Sequence, residues 1–139
     1  MKKYSELFVY LVMLYITSIL VANVAAFKIV EISAITVTGG TLVFPISYIL
    51  GDVFSEIYGF KTTRKVIVGG FLCNALMVGI FYIAIKMPYP DYFKNQEAFS
   101  TVLGSTPRIF LAGVIAYLIG SISNSYVMHY IKNNSKIQF

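Results

Sequence analysis

Asp52 and Glu56 are the residues at which any chemistry would begin. They lie in TLVFPISYILGDVFSEIYGFKTTRK (residues 41–65), with an almost wholly apolar run before them and another after. Four residues apart on a helix, two carboxylates share one face. An acidic side chain at the centre of a bilayer costs about 2.5–3.5 kcal/mol even on insertion scales. A membrane span that keeps two of them has a use for charge: accepting hydrogen bonds, holding a cation or carrying protons.

Two carboxamides join them when depth is counted along the helices. Asp52 lies nine residues from Lys61, Asn74 nine from Lys65 and Asn124 eight from Lys132. At 1.5 Å per residue, with these lysines marking one membrane surface, all three polar groups sit about 12–14 Å inside it. Ser121 and Ser125 flank Asn124, and Phe44, Tyr48 and Tyr117 offer flat rings nearby. Carboxylates, amides and aromatic faces suit a planar heterocycle rich in hydrogen-bonding groups, or a protonated amine. A guanine-like edge, with adjacent ring N–H and exocyclic NH2, pairs with one carboxylate. The blander reading has the amides and serines join helices, at about 0.6–2 kcal/mol per contact, with Glu56 reaching the membrane surface.

The elements that must hold these groups are transmembrane helices. Of 139 residues, 58% are hydrophobic and 12% charged, and the mean hydropathy is +0.76. A soluble domain carries about twice that charged fraction. Four apolar runs approach the ~20 residues a span needs: about 7–27, 41–58, 66–85 and 108–131. The expected architecture is all-α, a polytopic membrane protein of about four helices forming one domain over 1–139. Ser18, Ala22 and Ala26, and again Ala112, Ala116 and Gly120, form small-residue stripes that permit close helix contact. Gly39-Gly40 and Pro45 predict a distorted start to the second span, tolerable only where backbone is buried or lines a cavity. Gly59 reads as that helix's end. Residues 28–38 read as a loop, 60–65 as a basic turn and 97–103 as a short interfacial helix.

The net charge of +5 does not indicate nucleic acid, because no basic cluster is dense enough. It reads as topology. Seven Lys/Arg fall on the N-terminal side of the membrane and four on the other, which favours a cytoplasmic N-terminus. The first apolar run exceeds a cleavable signal core and reads as a retained helix. Cys73, the single cysteine, reads as a buried structural thiol, and His129, the single histidine, as an interfacial bystander. Together they make no metal site. No phosphate-binding loop is present, and no cofactor or enzymatic activity is expected.

The stretch GDVFSEIYGFKTTRKVI resembles the signature of the queuosine precursor transporter family, also called vitamin uptake transporter-like. There an apolar run with a proline leads into Asp-x-x-x-Glu-x-Tyr-Gly and then basic residues; here these are Pro45, Asp52, Glu56, Tyr58, Gly59, Arg64 and Lys65. Asn23 in the first helix and SISNSYVMHYIK in the last are similar too. The resemblance implies a bacterial inner-membrane carrier for 7-deazaguanines such as preQ0 or preQ1, with Asp52 and Glu56 contacting the base or its amine and Asn124 assisting. Asn74 and Tyr48 join the expected substrate-binding set on depth and chemistry alone. Members of that family continue through further helices, so the resemblance also implies a truncated form, or one completed by a second copy. Two alternatives stay open: a ligand-binding membrane subunit of an energised uptake complex, and a non-transporting structural protein or remnant.

Overall fold

The computed structural model describes residues 4–134; within its last helix the side chains of residues 124, 125, 128, 129 and 132–134 lie outside the description. The first helix, α1, covers Glu6–Ala25. The Ser5 hydroxyl accepts the Phe8 N–H at 3.3 Å, and Glu6 lies in the positive first turn, so the sequence both caps and charges this start. Twenty residues rise about 30 Å, the thickness of a hydrocarbon core.

Residues 28–38, expected as a loop, instead hold a two-stranded antiparallel hairpin, β1 (Ile29–Ile32) with β2 (Ile35–Thr38). Its β-branched residues favour strand. The turn residue Ser33 has φ 60°, a position where glycine is usual, and that substitution hides the turn from a reading of residue types. A 3-10 turn (Gly39–Leu42) follows. Both glycines are buried on the end of α1: a Cβ at Gly39 would lie 2.6 Å from the Ala25 carbonyl oxygen, and one at Gly40 2.9 Å from that of Ala22. Ser18 and Ala22 are likewise buried, so the first small-residue stripe does permit the close contact expected of it. Because the obstacle is backbone, Gly39→Ala should destabilise the folded chain by about 1–3 kcal/mol, measured by denaturant unfolding in mixed micelles.

Next comes α2 (Phe44–Val53), with Pro45 in its first turn, where a missing N–H costs nothing. A π-helical segment, Phe54–Tyr58, continues it. Gly59, at φ 80° and ψ 161°, breaks the chain direction. Helix α3 (Phe60–Lys86) starts at once, so the expected basic turn is its first helical turns. Helix α4 (Gln96–Leu103) falls where a short helix was expected; Gln96 Nε2 donates to the Ile85 carbonyl at 3.1 Å, tying it to the end of α3. Helix α5 covers Thr106–Asn134.

Phe8, Tyr15, Leu50, Phe54 and Val66 form the core where α1, α2 and α3 meet. Phe54 has no exposed surface. Its ring meets Phe8 edge-on at 5.8 Å and Tyr15 at 5.7 Å, and Tyr58 packs on Phe8 at 4.6 Å. These contacts set α2 antiparallel to α1. Gly70 of α3 lies against Tyr15 and Ile19, and α5 joins through Phe71 and Tyr117, 5.2 Å apart. Three stretches among the described residues are long and apolar enough to cross a membrane: Glu6–Ala25, Phe60–Lys86 and Gln96–Ser123. The stretch holding α2 is shorter and interrupted at both ends. The architecture is all-α and membrane-like, with the small hairpin as an addition. Ala112, Ala116 and Gly120 are exposed along α5, so the second stripe is unused within these helices. Cys73 is exposed as well: the inward face of α3 is taken by Val66, Gly70 and Asn74, and Cys73 lies off it.

Candidate functional site

The polar groups singled out in the sequence separate into two places. Tyr48, Asp52 and Glu56 are all exposed, Tyr48 by 72%. Their spacing of four keeps them on one side of α2, and Phe44 extends the stripe, its ring 6.4 Å from that of Tyr48. Within these helices the two carboxylates lie off the face that packs on α1. Leu50 and Phe54 are the α2 residues buried against the core, and Asp52, two residues from each, is rotated about 200° from both. Packing two large apolar side chains inward turns the acids outward.

The backbone around the acids is irregular. Glu56 is inside the π segment and Asp52 in the turn before it. The Ser55 hydroxyl donates back to the Gly51 carbonyl at 3.0 Å, a bond that competes with the helical ladder and bends it. Single π turns within helices occur often at functional sites. With the 3-10 turn on one side and Gly59 on the other, α2 is a short rod between two breaks, the form taken by discontinuous helices that hold substrates in transporters.

The second place is interior. Asn74, 3% exposed, and Asn23, 9% exposed, are buried on α3 and α1. Asn74 Oδ1, Asn23 Nδ2 and Ser47 Oγ are each enclosed without a hydrogen-bond partner. Since Gly70 packs on Ile19, one further turn along these parallel helices brings Asn74 and Asn23 to similar depth. Ser47 approaches from α2, between Gly40 at the upper end of α1 and Phe54 at Tyr15. Three helices thus present one unpaired acceptor, one unpaired donor and a hydroxyl. A buried polar group left unpaired costs about 1–3 kcal/mol, and such orphans call for a partner. Depth counting found Asn74. Asn23 entered only through the family resemblance, and Ser47 gave no signal, because a serine in a helix is usually bonded to its own backbone. Asn74 is buried on α3, whereas Asp52, Glu56 and Tyr48 are exposed on α2 and its π segment. The Asn124 side chain lies outside the described residues.

Membrane-length helices on either side of a broken one give the architecture of a multi-pass membrane protein. The chain belongs to the vitamin uptake transporter family: residues 38–139 match the family described as "Putative vitamin uptake transporter". It is also similar to the "Probable queuosine precursor transporter" of Bacillus subtilis (strain 168), with 25% identity over 111 residues, covering 80% of this chain and 48% of that protein. The chain therefore spans about half the length of the curated relative it matches. No solved structure matches it. The resemblance seen in the Asp52–Glu56–Tyr58–Gly59 motif is thus supported over most of the chain, and membership carries with it a membrane setting.

Proposed function

We propose that the chain takes part in import of queuosine precursors, 7-deazaguanine bases such as preQ0 or preQ1, across the bacterial inner membrane, as a single membrane domain with its N-terminus in the cytoplasm. The observation that carries this reading is the pair of carboxylates on an irregular segment between two backbone breaks. On lipid alone the exposed stripe of Tyr48, Asp52 and Glu56 would be costly; as one wall of a substrate path it is not. The carboxylates accept hydrogen bonds from the ring N–H and exocyclic amine of the base, and Tyr48 stacks on its face. The facing wall comes from outside the described helices, either further helices or a second copy of this chain. The interior trio of Asn23, Ser47 and Asn74 is a deeper polar station, connected with the first by movement of α2 between Gly39-Gly40 and Gly59. Asn124 belongs to the proposed set through depth counting and the family resemblance.

The test is complementation of precursor uptake, using these 139 residues in cells unable to make the base. Restored incorporation of queuosine into transfer RNA supports the reading. Restoration that requires co-expressed helices places the facing wall in them, and restoration that requires a co-purifying ATPase identifies an energised complex instead. Failure under all three arrangements refutes the reading.

A further inference from the structure

The outward face of α3 carries a groove of about 530 Å³ that the transport reading leaves unused. Thr63, Val66, Gly70 and Asn74 turn one side of this helix into the bundle. The opposite side holds Lys61, Arg64 and Lys65 in its first two turns, all exposed. Val68 and Leu72 continue the groove toward the membrane centre, 49% and 67% exposed. Gly69 leaves it open, since a Cβ there would meet nothing within 4 Å. Arg64 is steadied over the Phe60 ring, 5.3 Å from its centroid. Among the described residues none of the three cations is joined to a carboxylate.

The geometry points to a binding site for one anionic phospholipid, in the leaflet that holds the start of α3. A basic flank alone would only orient the chain. Here three cations are followed along one helix face by an apolar trough. Lys61 and Leu72 are eleven residues apart, about 16 Å of helix, enough for the phosphate to meet the cations while the first half of an acyl chain lies against Val68 and Leu72. The trough favours a lipid over a free anion, and the cations favour a negative headgroup over a zwitterionic one.

The test is native mass spectrometry of the full chain, purified in detergent and titrated with phosphatidylglycerol, with phosphatidylcholine, and with inorganic phosphate as competitor. Phosphatidylglycerol should bind at least about tenfold more tightly than phosphatidylcholine, given three basic residues at the surface, and millimolar phosphate should not displace it. The variant K61Q/R64Q/K65Q should lose that preference. Gly69→Leu, which fills the trough while keeping every charge, should weaken phosphatidylglycerol binding with the circular dichroism spectrum unchanged. Equal binding of the two lipids, displacement by phosphate, or undiminished binding by either variant overturns the proposal.

Discussion

Asp52→Asn leaves the chain folded and lowers binding of a 7-deazaguanine base by about 10–100-fold. The first half follows from the structure: Asp52 is exposed and takes no part in the core of Phe8, Tyr15, Leu50, Phe54 and Val66. The second half follows from chemistry. A carboxylate accepts hydrogen bonds from two adjacent donors, whereas an amide offers one acceptor and turns a donor toward the other. Hydrogen bonds to a charged group contribute about 1.5–3 kcal/mol each, and 1.4 kcal/mol is tenfold in affinity. Equilibrium binding of radiolabelled base to chain reconstituted in bilayers measures the effect, with Ser123→Ala, an exposed site on α5, as a control that keeps wild-type affinity. Equal affinity in wild type and Asp52→Asn would mean that the acids merely reach the membrane surface.

The second large effect divides stability from function at one residue. Asn74 is buried with Oδ1 unpaired. Asn74→Leu keeps the branched shape and number of heavy atoms and removes the orphan, so stability should hold or rise, by up to about 1–3 kcal/mol. Uptake should fall at least about tenfold, because a hydrogen-bonding substrate loses its partner at the deeper station. An amide that only joined helices would behave in the opposite way: leucine would lower stability by about 0.6–2 kcal/mol and leave uptake alone. Unfolding in mixed micelles and uptake of labelled base, measured on the same variant, separate the two.

Both predictions turn on which way a helix faces, and depth counting along the sequence cannot supply that. Asp52, Asn74 and Asn124 were expected at one level because each lies eight or nine residues from a lysine. The count for Asp52 took Lys61 as a surface marker in a turn after Gly59, whereas Lys61 lies in the first helical turn of α3, beyond the break at Gly59. For Asn74 the structure adds burial against its neighbours. Helix α4, the proline start of α2 and the close approach permitted by Ser18 and Ala22 were legible because each depends on a few neighbouring residues. The hairpin at Ile29–Thr38 was not, since strand pairing needs a turn that Ser33 makes without the usual glycine.

Read alone, the residues determined that this chain lies in a membrane, where its main spans run, where the second span breaks and to which family the acidic motif belongs. Those properties follow from run length, the cost of burying charge and the conformational freedom of Gly59. Only tertiary structure decided that Phe54 and Leu50 face α1 while Asp52 and Glu56 face outward, and that polar atoms of Asn23, Ser47 and Asn74 are enclosed without partners. The reason is physical: lipid is as apolar as a protein core, so a span apolar on nearly every side carries no inside and outside of its own. Ring-on-ring packing of Phe8, Tyr15, Phe54 and Tyr58 chooses the face, and the polar groups go where that choice sends them.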